Sequence, residues 1–127
     1  MAVSYSVASG GFVQAFKKYI FEMAGELDIP AGFTLPYQHV KTAFTISSAT
    51  AVFSTAGTAT YSLTLTSTDN AGANSQTHIS AVTLTPTSGG KLTATIALAS
   101  VTADRIFHMS LTSNAGTPST DFTLTLE

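Results

Sequence analysis

One-by-one alternation, evenly spaced turns and a Thr/Ser-rich alphabet point this chain to a mainly β fold. The expected form is an antiparallel β-sandwich or jelly roll of about seven strands, with an N-terminal arm and one helix. The alternation is plainest in Ala59-Thr60-Tyr61-Ser62-Leu63-Thr64-Leu65-Thr66-Ser67, apolar at odd positions through Leu65 and hydroxyl-bearing at even ones. Successive side chains of a strand point to opposite faces, so such a run has one buried face and one wet face. The same pattern returns over residues 92–98 and 122–126. Turn signals rich in Gly, Pro, Asn and Asp break the pattern at 69–74, 86–90 and 114–118. They leave candidate strands at 38–47, 49–55, 58–67, 77–85, 91–99, 105–112 and 121–126. Short strands at regular spacing, with no helical pattern between them, are the signature of a sandwich or jelly roll.

The first 36 residues read differently. Val13, Phe16, Ile20, Met23 and Leu27 follow a 3-4-3-4 spacing that predicts an amphipathic helix over 11–27, widened by Phe12 and Tyr19. Ser9 is its candidate N-cap, Pro30 its stop, and Gly25 a weak point near its end. Two heptads are too short for a self-standing coiled coil. The helix would therefore dock on its own sandwich, on a partner, or on its copies with the β domain holding them together. Ahead of it, the alternating Val3, Tyr5 and Val7 read as a loose arm that would either add a strand to a neighbouring sheet or stay disordered. The expected organisation is thus an arm and helix over 1–36 and a β-sandwich domain over 37–127.

Composition narrows the function. The chain has 127 residues, 9% of them charged, and a net charge of −2. It lacks the basic footprint of a nucleic-acid binder. So few charges also remove the usual guard against self-association, which makes contacts between copies an expectation. Polarity is supplied instead by 22 Thr and 15 Ser. There is no cysteine for a disulfide or a thiolate metal site. The first residues do not read as a signal peptide, and hydroxyls interrupt the uncharged stretch 42–68 too often for a membrane helix.

Reactive groups are sparse, and no enzyme is expected. The β zone holds four carboxylates, Asp69, Asp104, Asp121 and Glu127, none in a recognisable acid/base pair. His39, His78 and His108 fall on three different candidate strands, without the short spacing that marks a metal centre, so no cofactor or metal is expected. A histidine buried in an interface would make assembly pH-sensitive. The 69–74 segment lacks the Asp-x-Asp-x-Asp-Gly pattern and closing Glu of a calcium loop and reads as an Asx-rich turn.

The stretch Val101-Thr102-Ala103-Asp104-Arg105-Ile106-Phe107-His108-Met109-Ser110-Leu111-Thr112, followed by Asn114-Ala115-Gly116 and Phe122-Thr123-Leu124-Thr125-Leu126, carries a resemblance. It resembles the closing hairpin of small β-sandwich virion proteins of tailed bacteriophages: capsid decoration (cement) proteins, head fibres and fibre tips. The resemblance implies a non-enzymatic capsid decoration protein, made in the host cytoplasm and carried on the virion. Such a protein would oligomerise, as a homotrimer, and bind the major capsid protein, with no nucleic-acid or membrane partner. Asp104 and Arg105 would then be strand-opening residues, placed to form a local ion pair. Candidate contacts with the shell or with sister copies are Val3, Tyr5, Phe12, Phe16, Tyr19, Ile20, Met23 and Tyr37. The alternative is a fibre-tip or adhesin module for a host surface or glycan, where Tyr37 is the aromatic expected outside the core.

Overall fold

The computed structural model describes residues 2–3, 19–29, 38–87 and 89–127. Its strands are β1 (Ala2–Val3), β2 (Tyr19–Glu26), β3 (Gln38–Val40), β4 (Phe44–Thr45), β5 (Ala49–Thr55), β6 (Tyr61–Thr68), β7 (Gln76–Leu84), β8 (Lys91–Thr93), β9 (Ser100–Val101), β10 (Arg105–Ser113) and β11 (Thr120–Leu126). All pair antiparallel. One sheet runs β1-β2-β11-β5-β8, a second runs β3-β10-β6-β7, and β4 pairs with β9. The described chain is all-β, an arrangement consistent with a β-sandwich.

The helix expected over 11–27 is overturned where the structure describes it: Tyr19–Glu26 is a strand, and no described residue is helical. Residues 11–18 lie outside the described set. Ile20, Met23 and Leu27 fit a helical seam, but that seam omits Phe21. As a strand the segment buries Tyr19, Phe21 and Met23 together on one face. Residues such as Tyr, Ile and Phe suit a pleated surface, and β11 supplies six paired positions for them. Gly25 takes a φ of 91°, incompatible with a helix. Tertiary pairing has overridden a helical spacing.

The count of about seven strands is also corrected. The candidate at 38–47 divides into β3 and β4. That at 91–99 pairs only over Lys91–Thr93. In register, Ala94 reaches the first residue of β5 and donates to the Ala49 carbonyl. Beyond that point β5 offers nothing more to pair with, and the chain turns away.

The inward faces of the two sheets share one aromatic core. Phe53 of β5 stacks on Tyr61 of β6 at 4.9 Å and lies against its cross-strand partner Phe122 at 5.1 Å. Phe107 of β10 meets Tyr19 and Phe21 of β2 edge-on at 5.5 and 6.2 Å. Leu63, Leu65, Met109, Leu111 and Leu124 fill the space between, all buried. Tyr61 also ties both sheets: its hydroxyl donates to the Leu27 carbonyl and accepts from the Ser119 amide, each at 2.9 Å. A buried phenol with both capacities satisfied costs little to bury.

At this end of the molecule the β5–β6 and β10–β11 connections are laced together. Ala59 N donates to Thr117 O, Thr117 N to Thr58 Oγ1, and Gly57 N to Ser119 Oγ. A β-carbon on Gly57 would sit 2.0 Å from the Thr117 carbonyl oxygen. Gly57→Ala is therefore expected to lower stability by about 1–3 kcal/mol or more, as other overpacked sites do. Urea unfolding of the variant against the parent chain checks this.

Candidate functional site

The densest group of chemically capable side chains lies inside the four-stranded sheet. Ser67, His78 and Arg105 are buried, the first two completely. A bulge brings them together. Leu65 pairs with Ile79 and Thr66 with Thr77, so between these two pairs β7 carries one extra residue, His78. The extra residue puts His78 and Ile79 both on the inner side, a re-aiming that bulges commonly perform.

The geometry fixes the direction of every hydrogen. Arg105 Nε donates to Ser67 Oγ at 2.8 Å, and Nη2 donates to the carbonyls of Ser67 and Asn74. His78 Nδ1 lies 2.9 Å from the Leu98 carbonyl, which only accepts, so Nδ1 carries the hydrogen. Neutral Nε2 then accepts from Ser67 Oγ at 2.7 Å. The relay runs Arg105 to Ser67 to His78 to Leu98. The Phe107 ring stands perpendicular to the imidazole at 5.7 Å.

A Ser–His contact of this length invites a nucleophile reading, but this one lacks two requirements. The third partner is a carbonyl where a triad has a carboxylate, and neither Ser67 nor His78 has surface open to a substrate. The relay joins β6, β7, β10 and the segment before β9. It is equipped to hold structure.

Burial lowers the His78 pKa, opposed by the Leu98 bond and aided, to a smaller extent, by the Arg105 charge; burial also lowers that of His108. Both groups are therefore harder to protonate in the folded state than in the unfolded one. Their contribution is complete above the ordinary histidine value of about 6.5 and is lost as pH falls from there through the lowered folded values. Asp69 and Asp121 are also lowered, chiefly by the Ala73 and Gly25 amides respectively, and weaken the fold only in a second, more acidic window. Urea midpoints will be flat above about pH 7 and will fall below about pH 6.5, and His78→Gln will flatten that first decline.

The other candidates separate. Asp104 and Arg105 do not pair with each other: Arg105 turns inward, while Asp104 approaches His39 Nε2 at 3.4 Å on the surface. His108 bonds Thr68 Oγ1 across β10 and β6. Asp69 spends its carboxylate on its own turn, accepting from the Ala71 and Ala73 amides and the Asn74 side chain. That is an Asx-rich turn, as its sequence suggests. No group of three or more metal-ligating side chains occurs among the described residues.

Of the candidate contact residues, Tyr19 and Met23 are buried in the chain's own core, and Ile20 is half-buried on the opposite face of β2. Val3 pairs with Met23 in the β1–β2 register. Tyr5, Phe12, Phe16 and Tyr37 lie outside the described residues. Sequence reasoning placed His78 on a strand but missed its partners. Ser67 is one hydroxyl among many, and the one available signal was Arg105, a lone cation in an apolar strand. Comparison with known proteins finds no matching family model, no matching curated protein and no matching solved structure.

Proposed function

We propose that this chain is a non-enzymatic virion structural protein, a capsid decoration or cement protein that assembles with its own copies, as a trimer, on a shell of major capsid protein. The observation that carries the reading is the strand order. Setting aside the two-residue strands, the layers are β2-β11-β5-β8 and β3-β10-β6-β7, with most successive strands changing layer. We read that order as the double Greek key of a jelly roll, an architecture shared by viral capsid and lectin domains. The step from fold to role is by analogy.

Two surface features favour the structural member of that pair. The outward positions of β6 and β10 are Ser62, Thr64, Thr66 and Thr68, and Ile106, His108, Ser110 and Thr112, rows with no Asp, Glu, Lys or Arg. Hydroxyls cost far less than ions to remove from water, so such a face suits contact with another protein. A glycan site, in contrast, wants an exposed aromatic platform. Tyr19, Phe21, Phe44, Phe53, Tyr61, Phe107 and Phe122, the aromatic residues of the described chain, are all buried.

Light scattering behind a sizing column tests the assembly. The full chain is expected to elute with three times the chain mass at neutral pH. A monomer at micromolar concentration, together with selective binding on a glycan array, would transfer the reading to the adhesin class.

A further inference from the structure

The β8–β9 connection, residues 94–99, is a strap held by few hydrogen bonds, with Ala94 buried and Ile96 packed against the core. Its Ala94 amide donates to the Ala49 carbonyl of β5, and its Ala99 carbonyl accepts from the Ile46 amide. Its described hydrogen bonds to the four-stranded sheet all go to one residue. Ala97 and Leu98 donate to the His78 carbonyl at 2.7 and 3.4 Å, and His78 Nδ1 donates to the Leu98 carbonyl at 2.9 Å. His78 itself sits at a bulge on β7, the edge strand of its sheet.

The relay behind His78 favours the neutral ring. With neutral imidazole, the single Ser67 hydrogen goes to Nε2 while Ser67 Oγ accepts from Arg105 Nε. A proton on Nε2 would turn it into a donor, so Ser67 Oγ would have to accept from both side chains, its own hydrogen displaced from Nε2, and two cations would crowd one buried oxygen. Among the described residues, the charge facing His78 is Arg105 of β10. Asp69, in the β6–β7 turn, acts on Arg105. From β6 His78 meets the Ser67 hydroxyl, from β10 the Phe107 ring, and from the strap the Leu98 carbonyl, none of them charged.

We propose that this relay is a pH-operated fastener, in which protonation of His78 drives its ring from the core and lifts residues 94–99 off the edge of β7. The imidazolium leaves and the guanidinium stays. Arg105 keeps three bonds, to Ser67 Oγ and to the Ser67 and Asn74 carbonyls, and cannot shed its charge. Lifting the strap bares the His78 carbonyl on a strand, Gln76–Leu84, that carries no Asp, Glu, Lys or Arg to ward off another strand.

Amide hydrogen exchange on the full chain, followed by NMR and corrected for intrinsic rates, tests the device. Between pH values near 7.5 and near 5, Ala97 protection is expected to fall about tenfold, as a released histidine becomes protonated. Amides of the β6–β10 ladder, which open only with the whole fold, will stay better protected than Ala97 at both pH values. The fall will follow the titration of the His78 ring, recorded on the same samples. His78→Gln retains a donor for Leu98 and removes the titrating site, so its Ala97 protection will not respond to pH, whereas His108→Gln will behave as the parent chain. A response that survives in folded His78→Gln overturns the proposal. If that variant does not fold, the parent chain decides: constant Ala97 protection while His78 protonates overturns it, and so does Ala97 protection equal to that of the β6–β10 ladder at both pH values, because the strap would then open only with the whole fold.

Discussion

A chain shortened to residues 37–127 will show no cooperative thermal unfolding. The deletion removes β2, which lies between β1 and β11 in the five-stranded sheet. With it go Tyr19, Phe21, Met23, Leu27 and Ile29, all buried. The Tyr61 hydroxyl loses its acceptor at Leu27, and β11 is left with an open edge. Truncating one large buried apolar side chain costs about 2–5 kcal/mol, while a whole domain is stable by only about 5–15 kcal/mol. Five such losses, about 10–25 kcal/mol together, match or exceed that whole reserve. A melt followed by near-ultraviolet circular dichroism decides the matter. A sigmoidal transition would show that the β-body is independent of residues 1–36, as their separate sequence character suggests.

Phe107→Ala will be the most damaging single truncation in the core. The ring lies in the middle of its sheet's inner face and meets Tyr19, Phe21, Phe44 and His78 at centroid distances of 5.5 to 6.2 Å. Those partners come from both sheets, from β4 and from the buried relay, so the cavity cannot close by the collapse of one element. The expected loss is about 3–5 kcal/mol, with the melting temperature lower by about 10–20 °C. Phe107→Leu, which keeps most of the volume, will lose much less. Urea unfolding of both variants near neutral pH checks the order. A loss below about 1 kcal/mol for the alanine variant would mean that the ring is not the joint between the sheets.

The same two regions show what the sequence could and could not reveal. Where one face of a strand is buried and the other wet, alternation spells the strand out: β5, β6, β10 and β11 lie within a few residues of their expected places. At β2 two periods overlap. Ile20, Met23 and Leu27 keep a helical spacing by coincidence, and only the presence of β11 alongside decides for a strand. At 91–99 the reverse holds. The alternation continues past Thr93, but pairing stops because β5 has ended.

The relay was illegible for a different reason. Ser67, His78 and Arg105 lie on three strands, and a one-residue bulge in β7 turns the histidine inward. No spacing along the chain encodes that meeting. Its partial signal, an arginine in a strand with no other Arg, Lys, Asp or Glu, suggests a buried polar contact without naming its partners. A surface of hydroxyl rows with few charges, by comparison, can be read directly from composition, and it is this surface that supports the proposed assembly.

The structural role is tested most directly by mass spectrometry of density-gradient-purified virus particles from a culture producing this chain. Its peptides are expected to band with those of the major capsid protein and to remain after washing. Peptides confined to the particle-free fractions would contradict a place in the virion.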